Sequence, residues 1–433
     1  MVKGKMSKDK RADRREIFGF MMFDFANSSY TTIIITAVFN AYFVRVVVNQ
    51  ANRGELLWAI TLSISYFLVM IFGPVLGAIA DYSSTKKRFL LVSYLLCVVF
   101  TALLFFIKPG YIIYAMIFVI ISNIGYSASE NFVSSFLPDI ADEENIGRIS
   151  GYAWSFGYVG GLIALAICLI LILFYHTEGD VNIPVRLTNL VTAFFFGTAA
   201  IPTFLWVRES RRYSIPSRTG SYFGIAFQRL THTFQNIRAF KELVKLLLSM
   251  FFFYSGIAVV ISFAAIYAQK ELGFTPGMSV LLIIVVNITA TLGAFLFGFL
   301  NDLIGLKRCI LITLLIWIGT VTAAYFIREA KAFWVIANIA GIAMGSSQSS
   351  ARAMVGIFSP KSKSAEFFGF WGFSGKLSAI MGILSFGIMS YIFSSNRFAI
   401  LSTIFYFLIG ITIMLFVREK GGREAALNFV DEV

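Results

Sequence analysis

The sequence predicts an all-α, polytopic membrane protein: twelve transmembrane helices in two pseudo-symmetric six-helix bundles, with both termini cytoplasmic. Three observations predict it. Of 433 residues, 58% are hydrophobic and only 14% charged, with 47 Phe and a mean hydropathy of +0.80, whereas soluble domains carry about a quarter charged residues. Apolar runs near the ~20 residues needed to cross a bilayer recur along nearly the whole chain. The two halves also repeat one another.

The first six spans read as Ile17–Val48, Leu56–Ala80, Phe89–Ile107, Tyr111–Leu137, Ile149–Phe174 and Leu187–Val207. The second six read as Leu246–Gln269, Met278–Leu300, Cys309–Ile327, Ala332–Phe358, Phe367–Ile392 and Phe398–Val417. Hydrocarbon offers the backbone no hydrogen-bond partners, so each span must be helical. The chain divides into a basic N-terminus (1–16), an N-terminal bundle (17–207), a linker (208–245), a C-terminal bundle (246–417) and a tail (418–433). The charged first sixteen residues run straight into a hydrophobic stretch too long for a signal-peptide core, so no cleaved leader is expected.

Orientation follows from the bases. Of the 36 Lys and Arg, eight fall on one side (Arg45, Arg53, Lys108, Arg186, Lys270, Arg328, Lys331, Arg397), two lie inside spans, and the remaining 26 share the side of both termini. Such an excess marks the cytoplasmic face. Topology and anionic lipid then account for the net charge of +13, and no nucleic-acid partner is expected. Cys97, Cys168 and Cys309 sit in or beside spans and imply no disulfide framework. His176 and His232 read as loop residues, which leaves no cluster for a metal and no buried imidazole for a proton relay. No cofactor is expected.

The repeat is visible in two loops, "GPVLGAIADYSSTKKR" after the second span and "GFLNDLIGLKR" after the eighth. In each, Gly is followed four residues later by Asp and then by bases: Gly77, Asp81 and Lys86–Arg88; Gly298, Asp302 and Lys307–Arg308. Pro138 and Pro360 echo one another after the fourth and tenth spans. Duplication of a six-helix unit is the economical explanation. The linker between the units carries Phe223, Phe227, Leu230, Phe234 and Ile237 at three- and four-residue steps, with Arg229, Gln235, Arg238 and Lys241 elsewhere on the wheel. That pattern predicts a basic amphipathic helix on the cytoplasmic membrane surface, tethering the bundles.

Twelve spans in two halves, each with a Gly-x-x-x-Asp…basic loop after its second helix, resemble the major facilitator superfamily. The first loop departs from the superfamily signature, with Ser84 where Gly is usual and Tyr82 where a base is usual. Within the superfamily, "DFANSSY", "GRISGYAWSFGYVGG", "FFFYSGIAVVISFAAIYAQKELG" and "AEFFGFWGFSGK" are similar to the vacuole-effluxer-like (unknown major facilitator) group, whose fungal members export amino acids from the vacuole. The resemblance implies alternating access around a central site near mid-membrane. It also implies gating roles for Gly77, Asp81, Lys86, Arg88, Gly298, Asp302 and Arg308 at the cytoplasmic ends of spans, joined by Arg148 and Arg352.

The charges inside the spans carry the chemistry, because charge in hydrocarbon costs at least a few kcal/mol per residue. At 100° per residue Asp24, Asn27, Ser28 and Thr31 share one stripe of the first helix, with Thr32, Thr36 and Asn40 adjoining; Tyr30, Ile33, Ile34, Ala37 and Ala41 lie opposite. A polar stripe cannot face lipid. Asp24 therefore either lines a cavity or bridges to a neighbouring helix. Glu130 in the fourth span is the second acid well inside, and with no buried His the two are the candidate proton carriers. Lys376 in the eleventh span either meets a substrate carboxylate or pairs with one of these acids; for Arg352 in the tenth, an ion pair is the simpler reading. Asn27, Thr31, Asn123, Tyr126, Trp154, Tyr158, Tyr254, Asn287, Gln348 and Trp371 complete the candidate lining of a cavity for a modest polar solute.

"GFWGFSGKLS" is not a phosphate loop, since five residues separate Gly369 from Gly375 and Leu377 replaces the required hydroxyl. Without an ATP site, transport would run on gradients. The expected function is a proton-linked secondary transporter of a small polar solute, amino acid or peptide-like, working as a monomer in the lipid bilayer. The expected location is the inner membrane of a bacterium or a vacuolar-type membrane of a eukaryote. The competing readings are a non-transporting receptor on a carrier scaffold and an effluxer of drugs or other solutes. An intramembrane enzyme would want a nucleophile paired with a base, or a metal cluster, and neither is legible.

Overall fold

A computed structural model describes residues 13–175, 182–209 and 222–429. The basic N-terminus up to residue 12, His176, most of the linker's basic run and the last four residues lie outside the described residues.

The N-terminal bundle comprises α1 (Arg14–Val47), α2 (Ala51–Tyr82), α3 (Lys86–Phe106), α4 (Ile112–Ser134), α5 (Ile146–Phe174) and α6 (Ile183–Trp206). A linker helix α7 (Tyr222–Gln235) leads to α8 (Lys241–Leu272), α9 (Pro276–Ile304), α10 (Leu306–Phe326), α11 (Ala330–Phe358), α12 (Ser364–Phe393) and α13 (Asn396–Leu415). A tail helix α14 spans Glu419–Asn428. Among the described residues, eleven of these runs are long and apolar enough to cross a membrane. The remaining long helix, α11, is diluted by Ser346, Ser347, Gln348, Ser349, Ser350 and Arg352; Gln348, Ser349 and Arg352 bond the other bundle, while Ser347 and Ser350 bond Trp317 and Asn301 of their own. His232, read from the sequence as a loop residue, lies inside α7, because the apolar periodicity of the linker continues through it.

Several helix ends overrun the apolar stretches that announce them. Thus α8 starts at Lys241 and α2 at Ala51, since polar residues at the interface extend a helix without disturbing hydropathy. Within α1 the backbone widens into π-type turns over Thr31–Ala37 and again over Phe43–Val47. Each wide turn holds an extra residue and rotates the side chains beyond it about the helix axis. This is why Ala37, on the apolar arc of an ideal wheel, faces the same cavity as Thr31 and Thr32.

The ends of α1 and α13 nearest the chain termini share one face, called the terminal face below; the opposite one is the far face. The bundles meet at the terminal face along two seams, α2 on α12 and α5 on α9, which exchange under the internal repeat. Glycines allow the approach. A Cβ on Gly369 would lie 2.7 Å from Pro74 Cα, one on Gly151 would lie 2.5 Å from Ala294 O, and one on Gly77 would run into Ala365 O.

The repeated Asp loops lock these seams. Asp81 accepts backbone hydrogen bonds from Ala365 N (3.1 Å) and Glu366 N (2.8 Å) at the start of α12, where the N–H groups are otherwise unpaired. Asp302, its counterpart near the end of α9, packs against the start of α5 and pairs there with Arg148 at 3.1 Å. Lys86 binds Asp139 (3.2 Å), Ser364 Oγ (2.6 Å) and, at 3.8 Å, Asp81. Arg88 and Arg308 stay exposed. Ser84 and Gly305 occupy equivalent places, and both are left-handed, with φ of 51° and 93°. Only the second copy carries the residue suited to that conformation. Ser84→Gly should therefore stabilise the protein by about 1 kcal/mol, read as a rise in unfolding temperature in detergent.

The tail is helical as well. Glu419 accepts from Leu306 N and Lys307 N (both 3.4 Å), Gly422 lies against Phe358, and Arg423 pairs with Glu143 of the other bundle.

Candidate functional site

Between the bundles a cavity of about 480 Å³ runs from a charged floor towards the far face. Its upper lining includes Tyr267, Ala324, Phe333 and Ile400, near the far ends of α8, α10, α11 and α13. Its floor is Asp24, Glu130, Arg352 and Lys376. The seams close everything beneath. The protein is thus shut at the terminal face and hollow above it.

The walls differ in chemistry. From the N-terminal bundle come Asn27, Ser28, Thr31, Tyr66, Asn123 and Tyr126 around the two acids. The wall from the C-terminal bundle is largely apolar, with Val260, Ile261, Leu282, Val286, Ile336 and Met344 beside Trp317 and Phe333, broken by Asn287, Thr320 and Gln348.

Asp24 and Arg352 form the tightest ion pair at the floor. Arg352 Nη1 donates to Asp24 Oδ2 at 2.6 Å, while Nε and Nη2 donate to Ser150 Oγ and O, both at 3.1 Å. The guanidinium also sits over the rings of Phe20 (5.5 Å) and Trp154 (5.4 Å). All of these partners belong to the N-terminal bundle, yet Arg352 stands on α11 of the C-terminal one. It bolts the bundles together. The two alternatives for Asp24 thus coincide: it lines the cavity and bridges across it.

Glu130 and Lys376 are arranged differently. They lie within electrostatic reach of each other. Among the described residues, neither makes a salt bridge within 4.0 Å, and both stay partly accessible to the cavity. The Lys376 ammonium instead rests over the rings of Tyr66 (5.1 Å) and Tyr126 (5.8 Å). Cation–π contact of this kind holds an ammonium without neutralising it. The floor therefore combines one spent charge pair with one uncommitted acid and one uncommitted base.

Of the candidates read from the sequence, Asn27, Thr31, Asn123, Tyr126, Trp154, Tyr158, Asn287, Gln348 and Lys376 line this cavity. Tyr254 and Trp371 do not; their rings pack on Phe253 (4.9 Å) and Phe368 (5.7 Å), outside the lining. Tyr158 Oη donates to Gln348 Oε1 at 2.7 Å across the bundles, and Ser155 Oγ donates to Thr291 O at 3.0 Å just beneath. Sequence reasoning missed Tyr66 and Ser150. A lone Tyr or Ser in an apolar span carries no signal until its neighbours from other helices are known.

A family model described as "Vacuole effluxer Atg22 like" matches residues 56–427 of the chain. The chain belongs to that family. An uncharacterised transporter of the major facilitator type, YxiO of Bacillus subtilis, is 28% identical over 407 residues, covering 93% of this chain and 94% of its own. Autophagy-related protein 22-1 of Aspergillus niger is 22% identical over 459 residues, covering 86% of this chain and 74% of its own. Among solved structures, the human organic anion transporter MFSD10 superposes with a TM-score of 0.74 at 10% identity over 93% of this chain and 99% of its own. The E. coli fucose:proton symporter FucP gives 0.71 at 14% identity over 93% and 98%. This Atg22-like chain is therefore a multi-pass membrane transporter with the major facilitator fold, and not an enzyme.

Proposed function

We propose that this transporter moves a small zwitterion with an apolar side chain, an amino acid or short peptide, by alternating access coupled to protons. The observation that carries the reading is the pair of uncommitted opposite charges, Glu130 and Lys376, on one cavity floor. A zwitterion presents an ammonium to the first and a carboxylate to the second, and the apolar wall of the other bundle receives its side chain. A volume of about 480 Å³ suits such a solute. The base-rich terminal face is taken as cytoplasmic, so the cavity opens outward.

Asp24 supplies the coupling. A proton entering from the cavity neutralises the carboxylate and removes its attraction for Arg352, leaving that side chain held by Ser150 and the rings of Phe20 and Trp154. Weakening this bolt favours separation of the bundles at the cytoplasmic side. Glu130 couples the same step to the solute, since occupation of the floor changes the charge around it.

The test is flux in proteoliposomes. Labelled neutral amino acids should accumulate with an imposed pH gradient, and Asp24→Asn should abolish accumulation while leaving counterflow exchange intact. Lys376→Ala should weaken solute affinity about 10- to 100-fold, the worth of a hydrogen bond to a charged group. Full accumulation by both Asp24→Asn and Glu130→Gln would sink the coupling role. Solute binding with no flux under any gradient would instead favour a receptor on a carrier scaffold.

A further inference from the structure

The linker helix α7 has three faces where an amphipathic helix has two. At 100° per residue, Ile225, Ala226, Arg229 and Thr233 form one arc, and all four are buried against protein. Phe223, Phe227, Leu230 and Phe234 form a second arc; its three phenylalanines are exposed, Phe227 by 74%. Gly224, Gln228, Thr231 and Gln235 form a polar third.

The buried arc touches both bundles. On the N-terminal side Ala226 packs on Ala78 and Ile79 of α2, with Val75 and Leu230 beside them. On the C-terminal side Arg229 Nη2 donates to Ser362 O (3.3 Å) and Thr233 Oγ1 donates to Glu366 Oε1 (2.5 Å) at the start of α12. Lys363 Nζ also reaches Thr233 Oγ1, at 2.9 Å. Thus α7 spans the α2–α12 seam and can keep both sets of contacts only while that seam is shut.

The position of α7 says what covers its apolar arc. Along α2, Ile64, Phe67, Ile71, Val75 and Ile79 recur at helical spacing on one stripe, and the first three are exposed in the manner of lipid-facing side chains. The helix sits on the terminal end of that stripe, so its aromatic arc continues the lipid-facing surface of α2.

We propose that α7 is a lipid-anchored latch on the terminal-face gate. Its phenylalanine arc is seated in the headgroup–acyl boundary of the adjacent leaflet, its buried arc clamps α2 to α12, and its polar arc faces water. The occupant is the lipid surface itself, and binding there scales with the apolar area inserted. Pulling the helix off the membrane therefore frees the gate to open. Neither proton coupling nor the nature of the solute enters this inference.

The full-length protein in lipid nanodiscs tests both halves. Phe227→Trp and Gln228→Trp add an indole on the apolar and polar arcs. With lipids brominated near the top of the acyl chain, the added emission of Phe227→Trp should be quenched and that of Gln228→Trp spared; equal quenching of the two overturns the seating. For the latch, Ser155→Cys places a thiol in the buried α5–α9 seam. Its reaction with a water-soluble maleimide should quicken at least about threefold when Phe223→Ser and Phe227→Ser are added, and stay unchanged with Gln228→Ser. Both serines replace exposed side chains, so folding is not at stake. An unchanged thiol rate in an intact, quenching-competent protein overturns the latch.

Discussion

Arg352→Ala is expected to destabilise the protein by about 3–5 kcal/mol, the usual result of stripping one partner from a buried ion pair. The substitution leaves the Asp24 carboxylate uncompensated in the membrane interior and removes three donated hydrogen bonds, one to Asp24 and two to Ser150. Asp24→Asn should cost less, because Ser150 and the rings of Phe20 and Trp154 still hold the guanidinium. The double variant Asp24→Asn with Arg352→Gln should regain part of the loss, since no buried charge is left alone. Unfolding temperatures of the three variants in detergent give the order directly. If Arg352→Ala unfolds no earlier than Asp24→Asn, the bolt is not what holds the floor together.

Bulk at the seams should have an equally large effect, on conformation more than on stability. Gly369→Leu drives a side chain into Pro74 Cα and Gly73 O, 2.7 and 2.8 Å from where its Cβ must lie. Gly151→Leu does the same against Ala294 O and Gly298 Cα, at 2.5 and 2.7 Å. These contacts are backbone, which cannot yield as the tip of a side chain does. Both variants should fold with the terminal face held apart, lose gradient-driven flux, and expose the Ser155→Cys thiol to maleimide. Gly375→Ala supplies the contrast. Nothing lies within 4 Å of its Cβ, so the variant should transport normally and gain up to about 1 kcal/mol from a better helix former. A slow thiol rate in either Leu variant would show that the seams tolerate bulk.

The spans, the duplication and the signature loops were legible because each rests on a local pattern: hydropathy over about 20 residues, or Gly and Asp at fixed spacing. The polar stripe of α1 was legible as far as Thr36, and failed at Ala37 where wide turns replace the 100° step. The pairing of charges was hidden for a different reason. Asp24 and Arg352 are 328 residues apart in the chain, and which acid meets which base depends on how two bundles dock. Lys376 illustrates the same gap. From the sequence it could meet a solute or an acid, and the structure places it over two tyrosines, one of them Tyr66 from an otherwise apolar helix. The tail helix went unread because Glu419–Asn428 is short and polar, and its order comes from Phe358, Glu143 and the start of α10.

The wide turns of α1 bear on how this helix could move. A π-type turn is an α-helix with one residue too many, so Thr31–Ala37 holds slack that a rigid rod lacks. Expelling that surplus towards the far end would tighten the coil and swing every side chain beyond it by about 100°. Thr32, Ile35, Thr36 and Ala37, which now line the cavity, would turn away, and side chains now packed inside the bundle, such as Ile33 and Ile34, would take their place. A single helix could in this way exchange a wettable rim for a greasy plug by shifting its thread, with no change in the packing of the two bundles below.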